Sequence, residues 1–344
     1  MSSETPRSPR SQARVAAGKA VTVAEPPVSW RDGVFLTGSS IWCDARRRRD
    51  VCFASSALAV TTRGHGQLIA TPTTMALLGA VAPGHLPVPP RKPFTLGQLK
   101  IELFPSGAAL GAAALRVDFG DRSVVYAAAV QPGDAGVASM DAGEVRRCDA
   151  LVVDAPYGDK RQRLLAPDRA VTQLQSWVDK QIFAQRTAVI FVDNWLRGLD
   201  ALRALTAAKQ HERWTIAAHA SIRQGAQRAA TVHRGLVAPV VPTATRGNVI
   251  IWPLAGRATL QPLLAKRTVA TLWLSGDACD KAQVAAHGVD HSLAWADGAD
   301  REALLEWIAA SRARHVYVTG RCAPTIAAAI GATVLGPPEQ MQLF

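Results

Sequence analysis

The stretch ASSALAVTTRGHGQLIATPTTMALL (residues 54–78) decides how this chain is read. It opens at the end of a short apolar run, 51–54, that reads as a strand. It then passes a glycine-flanked histidine, Gly64-His65-Gly66, and reaches Ala70-Thr71-Pro72 before a helix predicted over 73–78. Between 54 and 60 there is neither a histidine nor a carboxylate, only Ala, Ser, Leu and Val. Two later stretches share this character: PFTLGQLKIELFPSGAALGAA (93–113) and VVYAAA (124–129). Turn glycines, prolines and apolar positions dominate, and apart from His65, Lys100, Glu102 and Arg63 the stretches carry no ionisable side chain except the Tyr126 phenol.

Around these stretches the chain divides by its grammar. Residues 1–27 read as a basic tail, because Pro6 and Pro9 disfavour the amphipathic helix of a transit peptide. From 28 to 160 short strands and turns dominate: 34–36, 40–43, 51–54, then 99–104, alternating as a half-buried strand does, and 113–119 pairing with 123–130 across Gly120-Asp121. The run 151–154, apolar up to Asp154, suits a strand covered on both faces. Helices and strands alternate after Tyr157, at 168–183, 187–192, 196–210, 214–218, a helix from Ser221, and 248–252, which implies a parallel sheet. Residues 268–274 read as a return to the first unit, followed by a helix at 301–312, a strand at 315–319 and a helix at 323–330.

In order and spacing the three quoted stretches resemble the metallo-β-lactamase fold. Within it they are most similar to the β-CASP nuclease branch, the DNA ligase-associated exonucleases also described as mRNA 3′-end processing factors. That family reads THAHADHA before RPGHG and LATP, then PAGHxLGSA, then YSGD. The resemblance implies an α/β fold: a four-layer αβ/βα sandwich with an inserted α/β β-CASP-like cap. On that reading residues 28–160 are the N-terminal half of the sandwich, 161–261 the cap, and 262–344 the return.

Active relatives hold two zinc ions, which bind the scissile phosphate and activate a water. Carried onto this sequence, the ligand and catalytic positions of the first motif are Ser55, Ala57, Ala59 and Val60. The later ones are Ala108, Ala129, and two histidine positions near the C-terminus that are now Gly298 and Gly320. None is a competent zinc ligand, so no metal site and no cofactor is expected. Residual carboxylates remain at Asp154, Asp297 and Asp300. Asp154 reads as a strand-end carboxylate capping a turn, and Asp300 as the N-cap of the helix beginning at Arg301. Two or three such carboxylates, if they converged, would suit a hard cation such as Mg²⁺. His65 reads as structural.

With 344 residues and 48% apolar composition the chain has material for two packed units. No run of about 18 apolar residues is present to cross a membrane, and a soluble cytoplasmic protein is expected. Five scattered cysteines without a CxxC pair point to reduced thiols, and eight histidines show no ligand spacing. The formal charge of +12, mostly arginine, fits either a GC-rich genome or a polyanion partner. Its densest run, Arg46-Arg47-Arg48-Arg49, reads as a solvated turn or as a phosphate clamp bordering the cleft.

Three functions compete. The first is a catalytically silent β-CASP-like protein that binds DNA or RNA, or pairs with an active nuclease, ligase or helicase. The second is a protein-interaction module whose charge only reflects composition. The third is a metal-dependent nuclease or hydrolase using the residual carboxylates.

Overall fold

The computed structural model describes residues 25–59, 64–79, 83–132, 141–207, 212, 214–232 and 246–337. Two sheets are built by strands β1 (Val28–Trp30) to β11 (Ala150–Asp154) with two late strands, β17 (His315–Thr319) and β18 (Thr333–Val334). The first sheet runs in chain order through β1, β2 (Val34–Leu36), β3 (Ile41–Cys43), β4 (Val51–Phe53), β5 (Gln67–Ala70) and β6 (Leu86–Pro87). The second has the order β18-β17-β11-β10-β9-β8-β7, with β7 at Phe94–Leu96, β8 at Leu99–Pro105, β9 at Ala113–Asp118 and β10 at Ser123–Ala127.

Period-two patterning explains how the sheets stack. In the second sheet Ile101, Leu103, Val124, Tyr126, Ala150 and Val152 face the first sheet, where Val34, Leu36, Ile41, Phe53 and Ile69 meet them. The alternate residues Phe104, Val125, Ala127, Leu151 and Val153 face outward, under α7 (Arg301–Ser311) and α8 (Ala323–Ile330). The run at 151–154, apolar up to its terminal Asp154, is therefore covered on both faces, as the composition of its first three residues predicts. On the outer face of the first sheet, Cys52, Ala54, Leu68 and Ala70 pack with Met75 of α1 (Pro72–Leu78). That helix is punctuated by its own sequence. The Thr71 hydroxyl caps the Thr74 N–H, Pro72 stands in the first turn, and Gly79 closes it in the left-handed conformation.

A third, wholly parallel sheet has the order β13-β14-β12-β15-β16. Its strands are β12 (Thr187–Val192), β13 (Ile216–Ala218), β14 (Val249–Pro253), β15 (Val269–Leu274) and β16 (His291–Leu293). One face is covered by α2 (Pro167–Phe183), α3 (Trp195–Thr206) and α4 (Ala220–Ala230). The other is covered by the short helices α5 (Arg257–Leu260) and α6 (Lys281–His287) with their connections. The alternation read from the sequence is this sheet.

One boundary needs correction. The strand at 268–274, expected to return to the first unit, pairs with β12 over six residues and carries β16 on its other side. The third sheet thus extends to Leu293, and the division at 261/262 falls inside it. Periodicity marks a buried strand and does not say which sheet takes it. Among the described residues no helix is long and apolar enough to cross a membrane.

Candidate functional site

Strands β10, β11 and β17 are mutually parallel, so their C-terminal ends share one edge. The chain leaving β3 and β4 reaches the same edge, because Asp44 and Ser55 meet Tyr126 of β10 there. Ser55 donates its backbone N–H to Asp44 Oδ1 at 2.8 Å and its hydroxyl to Oδ2 at 2.6 Å. The Tyr126 hydroxyl donates to the same Oδ2 at 2.8 Å. Burial pushes the Asp44 carboxyl pKa up against these three donors, and nearby Asp154 pushes it further. The second quoted stretch is tied to the first at this edge. Both Thr71 and Thr74 hydroxyls donate to Gly111 O, at 2.7 and 2.8 Å, and Ala113 N–H donates to Ser55 O at 2.9 Å. Gly111 has φ +76°, and a Cβ there would stand 2.8 Å from Thr73, which is why a glycine stays in this turn.

Asp154 ends β11 opposite Thr319 of β17, whose hydroxyl donates to its Oδ1 at 2.9 Å. It is a cross-strand acceptor rather than a turn cap. Burial raises its pKa, and Asp297 adds to the shift. Gly320 follows Thr319 at φ +89°, and a Cβ there would overlap Asp154 Oδ1. Gly298 is buried against this group, with space for a Cβ only 3.2 Å from Pro156 Cγ and 3.5 Å from Ala129 Cβ. Asp297 accepts from the Tyr157 hydroxyl at 2.8 Å, and burial raises the Tyr157 pKa far above its ordinary value.

The third sheet contributes the cation. Asn194 caps α3 by accepting from the Arg197 N–H at 2.9 Å, which sets Arg197 in the first turn of that helix. Its buried guanidinium lies 3.3 Å from Asp200 and 4.0 Å from Asp297, and 5.2 Å from the centre of the buried Trp295 ring. Burial lifts the Asp200 pKa to about 7, with Arg197 and Arg203 opposing.

The structure therefore brings Ala129, Asp154, Asp297, Gly298 and Gly320 together, with Ser55 nearby through Asp44. Ala57 does not face an open cleft: it is buried in one apolar cluster with Leu77, Leu110 and the α2–α4 helices. Ala59 lies in the turn after β4, its N–H on Ser56 O at 3.3 Å, and Ala108 is half-buried in the β8–β9 turn. Val60 and residues 1–24 of the basic tail lie outside the described residues. Asp300 caps α7 by accepting from the Ala303 N–H at 2.9 Å, as read. It also lines, with Gly298 and Ala296, a cavity of 660 Å³ below residues 164–169. His65 is packed structurally, its Nδ1 accepting from the Arg49 N–H at 3.1 Å.

Arg46–Arg49 were expected to border the cleft. Arg49 instead stands at the start of β4, the end opposite Ser55, held by hydrogen bonds to His65 and Gly66 ahead of β5. Because β3 and β4 are parallel, their connection must run back along the sheet, and it carries the arginines away from the edge.

Tyr126 and Thr319 lie in stretches that carry the resemblance, but their roles, and Asp44, Tyr157, Arg197 and Asp200 altogether, escaped the sequence reading. No motif links them, and Asp44's φ of +47° is invisible in sequence.

The two-zinc centre that the resemblance implies does not fit this donor set. The ligand positions carry alkyl groups or hydrogen, apart from the Ser55 hydroxyl, which donates to Asp44; Asp44 also accepts from Tyr126, and a guanidinium stands beside Asp297. Among the described residues no group of three or more His, Cys, Asp or Glu side chains is arranged to hold an ion.

No family model matches the chain, and no curated protein matches it. Among solved structures it is similar to a crystal structure of a protein of unknown function from Enterococcus faecalis V583. The two are 13% identical, with 78% of this chain and 74% of that chain covered and a TM-score of 0.48. Likeness at that level assigns neither a family nor an activity.

Proposed function

We propose that this chain is a non-hydrolytic nucleic-acid-binding subunit. On this reading it is built on a four-layer αβ/βα metallo-β-lactamase sandwich with an inserted β-CASP-like cap, and its metal chemistry has been replaced by packing. The observation that carries the reading is Gly320. The position where the resembled motif has a histidine adopts a backbone that favours glycine, and its missing side chain leaves the space that Asp154 occupies. Loss of one ligand would leave a hole. Here the surroundings have closed over the loss, with Asp154 bonded to Thr319, Asp44 to Ser55 and Tyr126, and Ala57 buried among apolar groups. Arg197 supplies positive charge beside Asp297, one of the residual carboxylates. The +12 charge supports a polyanion as the partner.

The test pairs elemental mass spectrometry with a cleavage assay on the full chain, as purified and after zinc reconstitution. Metal well below one equivalent, no cleavage of end-labelled DNA or RNA with Mg²⁺, Mn²⁺ or Zn²⁺, and salt-sensitive binding of the same strands are expected. Metal-dependent cleavage abolished by Asp154→Ala would replace this reading with that of a residual-carboxylate hydrolase. Absence of strand binding at physiological salt, with a protein recovered by affinity capture, would replace it with that of an interaction module.

A further inference from the structure

One row of side chains crosses the outer face of the first sheet. Register places Ser29 beside Phe35, Phe35 beside Trp42, Trp42 beside Cys52, and Cys52 beside Leu68. Helix α1 packs with the Cys52–Leu68 end of this row. At the other end Phe35 and Trp42 pack with ring centres 4.8 Å apart and planes tilted by 42°, both half-buried. Arginines lie over them: Arg49 stands 3.7 Å from the Trp42 ring centre, and Arg31 stands 5.9 Å from that of Phe35. Arg49 is held in place by a hydrogen bond from Nη2 to Arg31 O at 2.7 Å.

Two arginines suffice to cover two rings. Arg46, Arg47 and Arg48 follow in the same connection, all exposed, and only Arg47 has an ion pair among the described residues, with Asp32 at 3.2 Å. Five arginines thus meet three aspartates over residues 31–50, and one of those aspartates, Asp44, is occupied by Ser55 and Tyr126. Adjacent exposed like charges cost stability in the free protein, and a bound polyanion recovers it. Guanidinium groups over aromatic rings beside a run of phosphate donors are the two components of single-strand recognition.

Resting on the nucleic-acid reading above, we propose that single-stranded nucleic acid binds on this outer face and not at the Asp154–Asp297 edge. Arg46–Arg48 hold phosphates, and bases lie against the Arg49–Trp42 and Arg31–Phe35 pairs. Phosphate and ring face are common to DNA and RNA, so strands of either kind bind alike, and a duplex, whose bases are already stacked, binds less well.

The test is fluorescence anisotropy of the full chain with labelled oligothymidylate and oligouridylate of about 15 nucleotides, and with a duplex of the same length, across a salt series. Charge reversal R46E/R47E/R48E weakens strand binding by about tenfold or more and lowers the log–log salt slope by about 2. Reversal at the exposed Lys266, Lys281 and Arg314 leaves the slope within about one of the starting protein. Phe35→Leu with Trp42→Leu weakens strands more than duplex at an unchanged slope, with circular dichroism confirming the fold. Trp42→Phe, which keeps a ring, retains most of the affinity. If strands bind but ignore the triple reversal, this surface is wrong and the nucleic-acid reading stands. If no strand binds even at low salt, both fall. If duplex and strand weaken equally in the ring variants, the stacking assignment is overturned.

Discussion

Arg197 Nη2 and Asp297 Oδ2 face each other at 4.0 Å, one from the first turn of α3 and the other from the segment that follows β16. Asp200, one turn along α3, lies 3.3 Å from the same guanidinium. Removing one member of a buried pair strands the other, at a cost of about 3–5 kcal/mol, whereas replacing both with apolar groups is often neutral. Arg197→Met is expected to destabilise the protein by up to that amount in urea denaturation at pH 8, above the Asp200 pKa of about 7. Arg197→Met with Asp200→Leu is expected to regain most of it. A double variant no better than the single one would show that the pair is not the unit.

Glycine at 320 is required by both conformation and space, while glycine at 298 answers to space alone. Gly320→Ala is expected to cost about 2 kcal/mol or more, and Gly298→Ala about 1 kcal/mol, since only a small shift of Pro156 is needed. Chemical denaturation of the two variants decides the order. Histidines grafted at Ser55, Ala57, Ala108, Gly298 and Gly320 together are expected to yield less folded protein and no zinc stoichiometry, as read by gel filtration and elemental analysis.

Asp200 makes stability depend on pH in a defined direction. Its pKa rises from 3.8 in the reference state to about 7 in the folded protein, chiefly through burial. Between those values the folded state keeps a proton that the unfolded chain releases, so the contribution of Asp200 to stability falls as pH rises through that window. The raised pKa values of Asp44 and Asp154 act in the same sense. The Tm of Asp200→Asn relative to the unsubstituted protein is therefore expected to climb from pH 5 to pH 8. A difference that stays flat across this range would contradict the assignment.

Ser55 and Tyr126 share one acceptor oxygen, Asp44 Oδ2. Ser55→Ala and Tyr126→Phe are each expected to cost about 1–2 kcal/mol. Their sum should differ from the double variant by at least about 0.5 kcal/mol, because each loss changes the charge that the other donor sees. Thermal and urea unfolding of the four proteins measure the coupling.

Much of the fold could be read from local pattern. The strands at 187–192 and 315–319 and the helix at 323–330 stand where their periodicity puts them, and Asp300 caps α7 as expected. These depend on neighbours in sequence. What local pattern could not supply was the partner of β15, because a buried parallel strand looks the same in any sheet. The site was legible only as a set of missing ligands. Two of its present occupants, Arg197 and Thr319, act through partners 100 and 165 residues away, Asp297 and Asp154, that no spacing encodes. The route of Arg46–Arg49 was misjudged for a related reason: a connection between parallel strands runs away from the edge at which it begins.

The pairing of β11 with β17 has a consequence for how the chain is made. Asp154 and Thr319 are 165 residues apart, and the whole third sheet lies between them. During synthesis β11 has β10 on one side and nothing on the other until β17 emerges. At about 5–20 residues per second that is roughly ten to thirty seconds. The nascent chain thus carries an apolar strand, Ala150–Asp154, with an open edge. Truncations that end between β16 and β17 would leave that edge permanently unpaired, and aggregation is the fate expected of them.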